Sequence, residues 1–293
     1  FTFHGEAAHA ALSPWNGRDA LDAVVLMDIG LAQHREHMEP QMRAHRVITN
    51  GGAQPNVIPA TASVWWYFRD RTALGAQHLF EAAQRIAQGA ALMSNTELTI
   101  NVRSAVWPVI GNEVLARVLQ ANIEAVGMPS WSDAEQSLAR SLQAAAGKPE
   151  TGLRSDVTPL SGPSEPIIAS NDCGDVSWRV PMGRIWFPSN VPGLDFHHWA
   201  AGSPLATTIA HKGALAGAKA LAGAIIDCLT EPALIEGARS AHRLQTAGQI
   251  YTPLLPADQK PELSVNDALM AKYRAILAQH YRPGRPSFKA LPS

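Results

Sequence analysis

"RAHRVITNGGAQPNVIPATASVWWYFRD", residues 43–70, holds two runs of β-forming residues around a stretch rich in Gly, Pro and Asn. "RAHRVITN" (43–50) stops at Gly51-Gly52, and "TASVWWYFRD" (61–70) is dense in β-branched and aromatic side chains, so each reads as a strand. Upstream, "FTFHGEA" reads as another strand, and residues 19–37 place Leu21, Val24, Val25 and Leu31 near helical spacing. Downstream, residues 73–92 read as a second helix with Leu74, Phe80, Ala83, Ile86 and Ala87 inward. "ELTINVR" (97–103) then alternates, with Leu98, Ile100 and Val102 on one face, as a half-buried strand does. The order is β-α-β-β-α-β. Two helices covering one face of a four-stranded, largely antiparallel sheet satisfy it, and the opposite face is left for solvent or a partner.

The remainder has a different character. Residues 111–127 and 133–147 read as helices, and residues 148–165 as a loop rich in Gly, Pro, Ser and Thr. "PIIAS" (166–170) and "GRIWFPS" (183–189) are short apolar runs of the kind found in central strands. Residues 204–229 read as a long helix whose Ala and Gly content suits close packing, and Ser264 with Asp267 reads as a capping box for a last helix. Two or three strands are too few for an α/β domain, so half of its sheet is expected to come from sequence outside this chain. The expected boundary divides residues 1–106 from 107–293.

The chain is 46% hydrophobic and 17% charged, with a formal charge of −1, so a sizeable core is possible and no basic patch points to nucleic acid. The most apolar stretch, 204–229, is interrupted by His211, Lys212, Lys219 and Asp227, and no membrane span is expected. Cys173 and Cys228 make no disulfide framework, which fits a reducing compartment and a cytoplasmic location. The start, "FTFHGE", lacks Met and has no signal-peptide pattern, so a processed or partial chain is expected.

The chain has no G-x-S-x-G and no phosphate-binding glycine loop. "PGLDFHHWAAG" (192–202) puts His197 and His198 in a loop ahead of the long helix. Histidine is the commonest metal ligand and general base, and neighbours on an extended loop point apart, so one of the two is a candidate. The competing reading is a loop histidine bonded to backbone. Asp195, His197 and Ser203 could be read as a triad, but triad partners meet in space, not along the chain. His9 sits where the first strand ends and reads as a displayed or merely polar histidine. Asn56, between Pro55 and Val57, is a stiffly held amide that could recognise a ligand or satisfy its own turn. Arg69 could grip a carboxylate bidentately or mark the wet end of its strand.

Three segments taken together, "FHGEAAHAALSPWNGRDALDA", "GGAQPNVIP…FRD" and "SNDCGDVSW…PGLDFHHWAAG", resemble the metal-dependent amidohydrolases and peptidases of the aminoacylase–carboxypeptidase type. "DCGDVSW" followed by "HHW" is most similar to the p-aminobenzoyl-glutamate hydrolase subfamily. The resemblance implies an α/β fold: a β-α-β-β-α-β lid, which forms a homodimer, followed by the C-terminal part of a zinc-peptidase-like catalytic domain. It implies two divalent ions per complete site, zinc or manganese, and hydrolysis of an amide in an N-acyl or N-aroyl amino acid such as p-aminobenzoyl-glutamate. His197 falls at a metal-ligand position, His9 at the lid histidine that reaches a neighbouring subunit's site to stabilise an oxyanion, and Asn56 and Arg69 at positions that hold the substrate's carboxylate. Asp172 and Asp175 lie near that site without an assigned role. The alternatives are a general aminoacylase or dipeptidase, or a non-catalytic dimerisation module, since one ligand of about five is present.

Overall fold

Strands β1 (Thr2–His4), β2 (Arg43–Asn50), β3 (Thr61–Arg69) and β4 (Glu97–Thr99) form one sheet in the order β2-β3-β1-β4, with every pairing antiparallel. This is the sheet of a computed structural model that describes residues 1–162 and 171–280. Helices α1 (Ala20–His34) and α2 (Ala73–Met93) cover one face. Along β3 the burial alternates: Ala62, Val64 and Trp66 face the helices and join Phe3, Val24, Met27, Leu31, Ala83 and Ala87 in one core. Asp19 caps α1 by accepting from the backbone N–H of Leu21 and Asp22, and Thr72 caps α2 by accepting from Gly75.

β4 is shorter than its alternating sequence predicts. Its ladder with β1 pairs Thr2, Phe3 and His4 with Thr99, Leu98 and Glu97 and ends at Thr99. Ile100 to Arg103 lie outside it, and Val102 belongs to a second compact unit. That unit comprises Val102–Ala105 with the residues from Leu255 onward; the first comprises Phe1–Asn101 with Val106–Leu254. In the second unit Gln259 donates from its side-chain amide to the Val102 carbonyl, and Arg103 pairs with Glu262 at 3.3 Å.

Beyond residue 106 the first unit is helical: α3 (Glu113–Val126), α4 (Asp133–Ala145), α5 (Cys173–Arg179), α6 (Trp199–Gly202), α7 (Thr208–Thr230) and α8 (Pro232–Gln245). The run 183–189 forms no strand. Among the described residues it has no ladder partner, and α7 lies directly on it: a Cβ on Gly213 would stand 2.2 Å from the Pro188 carbonyl oxygen, and one on Gly217 2.6 Å from the Phe187 ring. Gly213 and Gly217 of α7 therefore serve close packing against this segment, and Gly223 close packing against Asn122 of α3. The run 166–170 lies outside the described residues. Helices α5 and α8 are not expected from periodicity. α5 has only seven residues and depends on tertiary bonds, with Ile110 N–H donating to Ser177 Oγ at 3.1 Å and Trp178 Nε1 to the Pro108 carbonyl at 2.8 Å. For α8 a signal was present: Pro232 occupies the first helical turn, where its missing N–H costs nothing.

α7 is long and apolar enough, by length and composition, to cross a membrane. Its polar residues are nonetheless used in the fold. Asp227 accepts from Asn122 of α3, and Lys212 pairs with Glu135 at 2.7 Å.

The expected capping box at Ser264 does not form. Helix α9 (Asp267–Ala278) begins with Asp267 at its first position rather than its third, so the carboxylate cannot reach back to an N-cap. The box occurs instead at α4. Ser132 Oγ accepts from Glu135 N–H at 3.3 Å, and Glu135 Oε2 accepts from Ser132 N–H at 2.7 Å. The buried Glu135 carboxylate also accepts from Lys212 Nζ and Thr208 Oγ1, and these bonds hold its pKa down to about 2. Because the folded value lies below the ordinary 4.5, the stabilisation is complete above about 4.5 and is lost as the pH falls toward 2. The melting temperature is expected to fall across that window. Glu135→Gln should melt lower at neutral pH and lose part of the acid-dependent decline, which a melting series from pH 7 to 2 checks.

Candidate active site

The strand pairing that begins in β1 continues past it. Gly5 N–H donates to the Ala60 carbonyl at 2.8 Å, Ile58 N–H to Ala8 at 2.9 Å and Ala10 N–H to Asn56 at 3.0 Å, with His9 bridged to Val57. His9 thus lies opposite Val57, with the backbone of Asn56 one residue along at the same end of the sheet, and both His9 and Asn56 are exposed. The backbone N–H groups of Ala11 and Leu12 each donate to His9 Nδ1 at 3.2 Å. A ring that accepts at Nδ1 carries its proton on Nε2, so His9 presents an N–H donor outward.

Arg69 is elsewhere. It ends β3, paired with Arg43, while Thr61 at the other end of β3 adjoins the His9–Asn56 loops. Eight strand steps separate Thr61 from Arg69, about 26 Å at 3.3 Å per residue. One chain thus brings His9 and Asn56 together and keeps Arg69 well apart. Arg69 Nε donates to His45 Nε2 at 3.2 Å, and its guanidinium lies 5.1 Å from the centre of the Tyr67 ring.

His197 sits on a third segment, at a turn ahead of α6. It is exposed, with φ of 68°, a left-handed conformation that costs a non-glycine residue about 1 kcal/mol. Three contacts hold this loop. Lys148 pairs with Asp195 at 2.7 Å, His198 N–H donates to the Asp195 carbonyl at 3.2 Å, and Gln143 Nε2 donates to Pro192 at 3.0 Å. His198 is occupied as the N-cap of α6, its Nδ1 accepting from Ala200 N–H at 3.2 Å, so the two adjacent histidines have different duties.

Sequence reasoning overlooked Gln143. It is fully buried, and its amide also donates to Thr151 Oγ1 and accepts from Gly152 N–H at 2.8 Å. Nothing in the local sequence marks it, because its partners lie on loops up to 49 residues away. Asp175 accepts from the Tyr251 hydroxyl at 3.0 Å; burial, reinforced by this carboxylate, pushes the tyrosine's pKa up. A cleft of about 380 Å³ opens between α3, α7 and the loops around residues 154–161 and 184–192, lined by Trp131, Arg154, Arg184 and Phe187. None of His9, Asn56, Arg69 or His197 lines it.

The divalent ions implied by the resemblance find no centre among the described residues: no three or more His, Cys, Asp or Glu side chains stand together. A tetrahedral zinc site needs four ligands, and His197 would supply one. The residues present do not fit the group.

No protein-family model matches the chain. It is 32% identical over 285 residues to a component of the p-aminobenzoyl-glutamate hydrolase of Escherichia coli K12, covering 88% of this chain and 59% of that protein. It is 33% identical over 243 residues to the Xaa-Arg dipeptidase of Mus musculus, covering 81% of this chain and 49% of that one. The chain thus spans between about half and three fifths of these curated relatives. Among solved structures, the aminobenzoyl-glutamate utilization protein of Klebsiella pneumoniae is 26% identical with a TM-score of 0.37, covering 43% of this chain and 32% of that one. Over most of its length the chain is thus similar in sequence to p-aminobenzoyl-glutamate hydrolase and to Xaa-Arg dipeptidase.

Proposed function

We propose that the chain takes part in hydrolysis of the amide bond of an N-acyl or N-aroyl amino acid, p-aminobenzoyl-glutamate being one such substrate. The observation that carries this reading is the 32% identity across 88% of the chain to a protein named as a hydrolase of that amide. In this proposal His9 donates its Nε2–H to the oxygen that becomes anionic as the carbonyl is attacked, Asn56 beside it orients the substrate, and Arg69 grips the carboxylate. Among the described residues only His197 falls at a ligand position for the zinc or manganese ions of the resemblance, so the chemistry proposed for the chain is that of its own donors.

Arg69 and the loops of His9 and Asn56 lie at opposite ends of β3, which spans about 26 Å, too far for one small substrate. We therefore infer a homodimer in which one copy's His9 and Asn56 face the other's Arg69. β2 supports this: it is an eight-residue edge strand with Val47 and Ile48 exposed, the kind of edge that pairs with another chain.

Arg69→Met tests the assignment. Losing a charge-assisted, bidentate contact is expected to raise KM for N-benzoyl-glutamate about 30-fold and to leave kcat nearly unchanged. An equal loss on an amide without a carboxylate would contradict the grip. The other reading, a non-catalytic dimerisation module, is favoured by the single metal donor; it predicts no turnover and no dependence on Arg69.

A further inference from the structure

His45 lies on β2 directly opposite Tyr67 of β3, and Arg43 lies directly opposite Arg69. Alternation along both strands puts all four side chains on the face of the sheet away from the helices. Arg43 and Arg69 carry like charges opposite each other, and His45 is the diagonal neighbour of Arg69 across the ladder. Its Nε2 lies 3.2 Å from Arg69 Nε, and its ring centre 6.2 Å from that of Tyr67. An arginine Nε can only donate, so His45 Nε2 accepts and the imidazole is neutral in this arrangement. From this geometry we propose that His45 is a positioning residue: it fixes the plane of the Arg69 guanidinium so that the terminal nitrogens keep one direction for a bidentate carboxylate. This rests on the reading of Arg69 given above.

The surroundings favour the neutral ring. Partial burial, then the charge of Arg69, then that of Arg35 beyond the end of α1, lower the His45 pKa below the ordinary imidazole value. Among the described residues, the charged and titratable groups around it include Arg69 and Tyr67 on β3, Arg35, and Arg43 on its own strand. Arg35 is itself held to β2 through the Ala44 carbonyl at 3.3 Å, and Arg43 through the Pro40 and Met42 carbonyls. Acid protonates Nε2 and removes the acceptor, so the link exists above the His45 pKa and is lost as the pH falls through it.

The test compares His45→Leu, which keeps a side chain of similar bulk without an acceptor, with His45→Gln, which keeps an acceptor that does not titrate. Nitrogen-15 NMR of the chain follows exchange of the Arg69 Nε–H, assigned by its loss in Arg69→Lys. The His45→Leu variant is expected to exchange about fivefold faster than the parent or His45→Gln, the effect of losing one hydrogen bond. Lowering the pH should remove protection in the parent and not in His45→Gln. In a preparation that hydrolyses N-benzoyl-glutamate, His45→Leu should raise KM about fivefold with kcat unchanged, and His45→Gln should restore it. Equal exchange in the parent and His45→Leu, with Arg69→Met still raising KM, overturns the role of His45 and leaves the Arg69 assignment standing. If Arg69→Met itself leaves KM unchanged, the proposal falls with its premise, whatever the exchange rates show.

Discussion

His9→Ala is expected to lower kcat for an N-acyl amino acid by about 100-fold or more, the usual cost of deleting one donor to a developing oxyanion. The structure separates this from mere loss of shape. The His9 ring also secures the turn at residues 9–12 by accepting from Ala11 and Leu12. His9→Asn keeps an acceptor near Nδ1 but has no donor at the Nε2 position. If the imidazole serves only the turn, asparagine restores activity and alanine does not. If Nε2–H meets the substrate oxygen, both variants lose about the same factor. Steady-state kinetics of the two variants beside the parent, with melting curves to confirm the fold, decide it. An unaltered kcat in both would remove His9 from the chemistry.

Phe3→Ala is expected to be the most destabilising single substitution in the four-stranded sheet and its two helices. Phe3 is fully buried in the central strand β1 and packs in the core that α1 and α2 close. Its removal costs about 3–5 kcal/mol, from lost transfer energy and the cavity left behind. For a chain of this size that lowers the melting temperature by about 10 °C. β1 holds β3 on one side and β4 on the other, so the loss is felt in both pairings. Urea melts followed by circular dichroism measure the change; a loss below about 1 kcal/mol would mean that the core collapses around the gap.

The sheet and its two helices were legible in the sequence because their signals are local. Period-two burial along β3, Gly51-Gly52 after β2 and the helical spacing of Val24 and Leu31 each arise within one element. The second half was less so. Residues 183–189 have a strand's composition, yet a strand is a relation between two segments, and no described residue pairs with this one. The expectation for β4 overran because alternation marks a half-buried segment without fixing how far its ladder runs, and the pairing stops at Thr99. Of the candidate residues, the nearness of the His9 and Asn56 segments could not be read from spacing, because 47 positions separate two loops that the sheet brings together. The separation of Arg69 follows directly from the length of β3, which its run of β-forming residues already marks.

The buried amide of Gln143 restricts how this protein can drift. It donates to one loop carbonyl and accepts from a backbone N–H on another loop, so the position requires both polarities at once. Glutamate would set a carboxylate against the Pro192 carbonyl, and leucine would strand both loops' polar groups away from water. Lineages that keep the turn bearing His197 should therefore keep this glutamine even where everything around it has been exchanged.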